Sequence, residues 1–555
     1  MANEQQHSST QTGTLIDPAM LKPPVPKFQP VQDTAPAAPP AEEAAAEEAE
    51  EESASNLPAV IPTAEPTELP VTTTSRFSRA KNFPANLINS EKIVLGQDGK
   101  AYSIRSDAGN QYVVAVGSRS FNNIIRERAL ELGINLRKND LGDINAMLQG
   151  YAETAKIINN VWHRVAPIKN GVVIDLGDDA HTHVQIIAGT VEIISTGSGV
   201  LFSRSTVSLP MAVPAETGDL NRLKKYLNMH PASAVLLVGW ITYVLAHPKQ
   251  ATSKYPILVL NGGQGSGKSS LCNNILSKLI DPSRIGLQLL PANAKDLAIA
   301  AQNSHILFYD NIRGFSPAMA DILCIAATGG VISSRQLYTD SDMAMQNLHA
   351  ALVLNGIHSF VNQPDLAQRC LPIHLNTIPE DQRKSDTALV QEFNADLPYI
   401  LRGLFDLIAE IFKCLSTAQI TNPERMVDFV QWLAAMEMAQ GVPAGVYQLE
   451  YSEALRHGQL DSLQENELAA AILELTEALQ GVAWQGTPEE LLNELNSTAS
   501  RGTQRSKDWP LNPIALSKRL ALLEAGLRSQ GILITFTRGK KRTIRIASSE
   551  VNEEK

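Results

Sequence analysis

The chain has 555 residues, 44% hydrophobic and 19% charged, with a net charge of −11. That length suggests roughly two to four domains, and the composition excludes both wholesale disorder and a coiled-coil rod. The charge is unevenly divided: residues 1–75 set two basic side chains against twelve acidic ones, whereas residues 501–547 set eleven Lys/Arg against Asp508 and Glu524. An acidic arm therefore masks a basic C-terminal module, and the basic module is the expected nucleic-acid footprint.

The first 80 residues read as a disordered Pro/Glu-rich arm. Twelve of the 31 prolines lie there, beside the run AEEAAAEEAEEE at 41–52. Such a segment buries too little apolar surface to offset its ordering entropy. It reads as a solubilising tail, or as a decoy for basic surfaces. No basic stretch followed by an apolar run marks a signal peptide. Cys272, Cys324, Cys370 and Cys414 form no CxxC pair, which fits a reducing, cytoplasmic location.

Residues 91–210 alternate short apolar strands with turns after two helical stretches near 119–134 and 140–158, predicting a β-rich α+β domain. Asp175, Asp178 and Asp179 invite a metal-site reading, but Gly177 between them predicts a surface turn. His181 and His183 lack an evident third ligand. Ala232 to Ala246 is the longest apolar stretch. It falls short of the roughly 20 residues needed to cross a bilayer, so it predicts a buried helix and no membrane partner.

Chemistry enters at Tyr255–Asn261 (YPILVLN), a strand-like run leading into Gly262, Gly263, Gln264, Gly265, Ser266, Gly267, Lys268, Ser269 and Ser270. This satisfies G-x-x-x-x-G-K-[ST], the loop whose backbone N–H groups cradle phosphates ahead of a helix N-terminus. Lys268 is expected on the β/γ-phosphates of ATP, with the Ser269 hydroxyl on Mg²⁺. Ile306–Tyr309 is a second apolar run ending in Asp310, the expected second carboxylate on the metal's side. A third run, 350–355, ends in Asn355, an amide placed to orient an attacking water. Arg369 opens a further strand-like segment, CLPIHL, where ring ATPases project an arginine into the neighbouring site; the alternative is a salt-bridged surface residue.

These residues carry a resemblance. The order of phosphate loop, carboxylate strand, hairpin and asparagine strand resembles superfamily 3 helicases of the AAA+ class. PILVLNGGQGSGKSS, FYDN, ILCIAATGG and LVLNGI are similar to ATPases of phages and integrated mobile elements, often the helicase half of primase–helicases. The resemblance spans roughly 160–547 and is strongest over 255–375. It implies an α/β fold with a P-loop AAA+ ATPase core at 220–385, a helical lid and connector at 386–480, and a basic winged helix at 485–548. It also implies ATP and Mg²⁺ as cofactors, a homohexameric ring and DNA as partner, with a separate primase or other replication proteins as candidate further partners. Two positions depart from the pattern. Asn311 stands where many such enzymes place a catalytic glutamate, and an amide cannot act as a base; Asp310 or Asp321 would have to serve. The hairpin tip after Arg335 is acidic through Asp340 and Asp342, although Arg335 and Tyr338 could still contact DNA.

In the C-terminal module, Leu516, Leu520, Leu523 and Leu527 line one helix face, with Lys518 and Arg519 off it. ILITF, TRGKK and RTIRIA then predict a β-hairpin whose Arg538, Lys540, Lys541 and Arg542 would contact phosphates. The reading is a DNA helicase or translocase acting in replication of a phage or mobile element. A nucleotide-switched DNA-binding regulator or defence protein with weak hydrolysis is the first alternative, and a small-molecule P-loop kinase the second.

Overall fold

The computed structural model describes residues 83, 86–88, 90–107, 109–195, 197–335, 343–357, 359–506, 509–537 and 542–548. The arm assigned to residues 1–80 lies outside the described residues. At its N-terminal end the structure has a meander of strands Lys92–Gly96, Ala101–Asp107 and Asn110–Ala115. Helices Arg119–Glu131 and Lys138–Ala155 cover it. Their apolar residues recur every three or four positions, so Phe121, Ile125, Leu141, Ile144 and Leu148 bury one stripe against Ile93 and Phe83.

A four-stranded antiparallel sheet follows: Val165–Ile168, Gly171–Asp175, His183–Ile187 and Thr190–Ile194. The sequence reading groups it with residues 91–155 up to a boundary at 210, but the core divides elsewhere. Val165, Val172, Ile174, Val184 and Ile186 share one apolar cluster with Trp240, Leu401 and Trp432. This sheet is therefore an outer layer of the central core. Asp175 also departs from the surface-turn expectation. It is buried, and Arg204 holds it with two hydrogen bonds of 2.9 and 2.7 Å. His181 stacks on Tyr112, and the Nδ1 of His183 lies 2.6 Å from the Ser198 hydroxyl. Among the described residues no group of three or more His, Cys, Asp and Glu side chains could hold a metal.

Arg164 fastens this layer to the centre. Its guanidinium meets Asp281 at 2.8 Å and donates to the carbonyls of Asp175 and Leu209. Burial pushes the Asp281 carboxyl up, but the charge of Arg164, with His163 and the His305 backbone N–H adding to it, holds the group below its usual value. The second oxygen of Asp281 accepts from the His305 backbone N–H.

The central sheet is parallel throughout. In spatial order it runs Leu287–Gln288, Ile306–Ile312, Ala351–Gly356, Ile257–Asn261, Cys370–His374. Numbered along the chain, that order is 2-3-4-1-5. Near-continuous apolar runs suit strands covered on both faces. One face packs Leu258, Phe308, Val353 and Leu371 against the helix Pro231–Ala246, which has thirteen buried residues. The other packs Val259, Tyr309, Leu354 and Cys370 against Leu297 and Leu323. The antiparallel hairpin Gly330–Arg335 and Met343–Leu348 precedes the fourth strand. Its tip, with Tyr338, Asp340 and Asp342, lies outside the described residues.

Helices Asp386–Cys414, Val427–Gln440 and Val446–Glu465 complete the core. Ser385 caps the first by accepting from the Ala388 N–H. Helix Glu467–Ala478, read from sequence as connector, instead belongs to the last unit, because Leu468 and Ile472 pack with Leu491, Leu516 and Ile534. That unit adds helices Pro488–Thr498 and Pro513–Ser529 and an antiparallel sheet of Trp484–Gly486, Thr543–Ser548 and Ile532–Thr537. Among the described residues no helix is long and apolar enough to cross a membrane.

His305 gives this core an acid sensitivity. It is fully buried, its Nε2 bonds the Val244 carbonyl at 2.9 Å, and desolvation lowers its pKa to about 3. The unfolded chain protonates this imidazole near pH 6.5, the folded chain near 3. Stability from the neutral ring is therefore complete above pH 6.5 and falls by about 1.4 kcal/mol per pH unit below it. Urea unfolding of His305→Gln at pH 7 and pH 5 should show a shallower acid loss than the parent; an unchanged slope would contradict this.

Candidate functional site

The site forms at the C-terminal ends of the first, third and fourth strands, where open α/β sheets place ligands. Gly262–Gly267 leaves the first strand with φ of 151°, 79° and 84° at Gly262, Gly265 and Gly267. A side chain at Gly262 would meet the Leu375 carbonyl oxygen at 2.8 Å, so the loop admits only glycine there. The helix it opens runs Lys268–Ser270, is π-wound over Leu271–Leu276, and resumes at Ser277–Ile280. Leu271, Cys272 and Ile275 bury its inner side.

Lys268 folds over the loop, donating to the carbonyls of Gly262 at 2.6 Å and Gly263 at 3.0 Å and to the Ser266 hydroxyl at 3.2 Å. Burial lowers its pKa, with Asp310 acting in the opposite sense. Its acceptors are neutral, so an anionic phosphate would offer stronger, charge-assisted bonds. The Ser269 hydroxyl donates to the Asp310 carboxylate at 3.3 Å. Alternation along the strands puts Phe308 and Asp310, and Val353 and Asn355, on the face shared with the loop's helix. Asn355 is 1% exposed, and neither of its amide atoms has a hydrogen-bond partner among the described residues. Leaving such a group unpaired costs about 1–3 kcal/mol. Asn311, with a left-handed φ of 56°, is exposed and donates its backbone N–H to Asp310.

Lys268, Ser269, Asp310 and Asn355 are thus gathered at one edge, and Gln264 is exposed on the loop. Ser270 donates to Asp386 at 3.4 Å, joining the loop's helix to the first helix of the 386–440 pair. Arg369 lies elsewhere, at the N-terminal start of the fifth strand. It is mostly buried and bonds Asp365, which also binds Arg425 at 2.7 Å. In this chain Arg369 is a salt-bridged residue.

Sequence reasoning missed the segment that embraces the loop after the fifth strand. The Ile378 N–H donates to the Gly265 carbonyl at 3.3 Å, and the Asn228 amide donates to the carbonyls of Ser266 and Asn376. Arg383 Nη2 lies 3.0 Å from where a Cβ on Gly265 would sit, so a cation overhangs the loop. The only signal was Arg383-Lys384 directly before the helix cap Ser385.

In the last unit Lys518 and Arg542 are exposed and Arg519 is half-buried. Arg538, Lys540 and Lys541 lie outside the described residues. Arg501 and Arg505, unassigned from sequence, are also exposed.

Residues 220–455 match the family described as the actinomycete integrative conjugative element replication protein, and residues 468–554 match the C-terminal domain of that family. The second match begins at the helix Glu467–Ala478, in agreement with the packing. No curated protein matches the chain. Among solved structures, an A-form apo structure of the NrS-1 C-terminal region shares 12% identity at a TM-score of 0.35, covering 84% of this chain and 97% of that one. A second structure of that region gives 12% and 0.34, covering 84% and 98%. The two family matches follow one another in the family's own order and together span more than half of the chain, which is therefore a replication protein of a mobile genetic element.

Proposed function

We propose that the chain is an ATPase of AAA+ architecture that couples ATP hydrolysis to movement along, or remodelling of, DNA in replication of its element. The observation that carries this reading is the Ser269–Asp310 contact, which brings the hydroxyl after the loop lysine to a carboxylate from a different strand. Hydroxyl and carboxylate oxygens are the hard donors that suit Mg²⁺, and glycines at positive φ leave the loop's backbone open to phosphates. The strand order 2-3-4-1-5 supports the same architecture.

Mg²⁺ would supply charge neutralisation on the transferred phosphate when bound with ATP. Lys268 would turn from its loop carbonyls to the β/γ-phosphates, and Arg383 would add a second cation over Gly265. Asn355 would satisfy its buried amide by orienting a water. Asp310 would have to take that water's proton, since Asn311 cannot and Asp321 is exposed on the helix Pro317–Thr328, which packs on the other face of the sheet. A nucleotide-switched DNA binder is the second reading, favoured by Asn311. Steady-state ATP turnover by the full chain, with and without single-stranded DNA, separates the two. Stimulation supports the motor, and a single slow turnover unaffected by DNA supports the switch.

The last unit has the order helix, strand, helix, helix, strand, strand, which supports a winged helix on DNA. Neutralising Lys540, Lys541 and Arg542 together should lower the salt slope of duplex binding by about one unit per lost phosphate contact. An unchanged slope would reduce these residues to a solvated surface.

A further inference from the structure

The helix Pro513–Ser529 presents an unusual outer face. Ile514, Lys518 and Leu522 recur every four residues along it, and Leu511 stands just before the cap Asn512. Leu511, Ile514 and Leu522 are 85%, 71% and 74% exposed, among the most exposed large apolar residues described. A helix that reads base edges uses polar donors and acceptors; an exposed apolar stripe that carries Lys518, in a unit as basic as residues 501–547, marks a surface that a mixed acidic and apolar peptide covers.

This chain carries such a peptide. Residues 41–71 hold nine glutamates and no basic residue, and Leu57, Val60 and Ile61 follow directly on the acidic run. Their charge of −9 equals and opposes the +9 of residues 501–547. The 31 residue-to-residue steps from Glu52 to Phe83, the first described position, can span about 100 Å when extended. A folded chain of this size has a radius of gyration of about 24 Å, so reach is no obstacle.

We propose that residues 41–71 dock on the face formed by Leu511, Ile514, Lys518 and Leu522 of their own chain. The glutamates lie along the cations and Leu57, Val60 and Ile61 cover the apolar stripe, so the arm competes with DNA for the C-terminal unit. The competition with DNA rests on the DNA-binding reading above; the docking does not.

Two measurements on the full chain test it. A photo-crosslinker replacing Leu57 should attach to residues 509–529 within the same chain, and Ile514→Ser with Leu522→Ser should abolish that product. Attachment elsewhere, or attachment insensitive to these changes, overturns the docking. Replacing the seven glutamates of residues 41–52, Glu42→Gln through Glu52→Gln, should raise duplex affinity about tenfold at low salt, with the gain vanishing at high salt. The double serine variant should also raise affinity. Unchanged affinity in the glutamine variant, or weaker binding in the serine variant, overturns the competition. A mapped cross-link in a protein that binds no DNA in any form would keep the docking and sink the DNA reading instead.

Discussion

Replacing Lys268 with alanine should stop ATP hydrolysis, by about 10²- to 10³-fold or more, because removing one fixed donor to developing charge costs that much. Nucleotide binding should fall with it, since the loop would lose the cation that sits over the carbonyls of Gly262 and Gly263. Asp310→Asn should behave differently. The loop and Lys268 remain, so binding largely survives, while the oxygen set shared with Ser269 is lost and turnover ceases. A Lys268→Ala protein that hydrolyses ATP at the parental rate contradicts the assignment. The same variant tests for a ring. Mixed with Arg369→Ala, it should regain activity if Arg369 leaves Asp365 to complete a neighbour's site. Two folded, inactive proteins that stay inactive together would leave Arg369 as the salt-bridged residue seen here.

Arg164→Met or Asp281→Asn should each cost about 3–5 kcal/mol of stability, the range for breaking one half of a buried pair. Both side chains are almost completely buried, 3% and 2% exposed, and no solvent can take over from the lost partner. Arg164→Met also strips donors from the Asp175 and Leu209 carbonyls. The double change Arg164→Met with Asp281→Leu should recover part of the loss, because it leaves no uncompensated charge. Urea midpoints report all three. Single variants as stable as the parent would mean that the outer sheet is not anchored at the end of the loop's helix.

The candidate site was legible because its polar residues sit at strand ends. Apolar runs ending in Asn261, Asp310 and Asn355 fix both the strands and their polar tips, and the glycine spacing fixes the loop between strand and helix. Strand pairing was not legible, since nothing local says that the fourth strand returns beside the first. The boundary at 210 failed for a related reason. Alternation shows that Val172, Ile174, Val184 and Ile186 are buried, but not that Trp240 and Leu401 bury them. The burial of Asp175 was not legible because its partner Arg204 is 29 positions away. Arg383 was invisible because it lies 118 residues from the Gly265 it overhangs. The hairpin Ile532–Thr537 and Thr543–Ser548, by contrast, is local in sequence and was read correctly.

Strand separation by the full chain on a forked DNA duplex, with Mg²⁺ and ATP, tests the central claim most directly. Displacement should require hydrolysable ATP and be lost in both Lys268→Ala and Asp310→Asn. Fork binding with no displacement and no DNA-stimulated turnover would contradict the motor and leave the nucleotide switch.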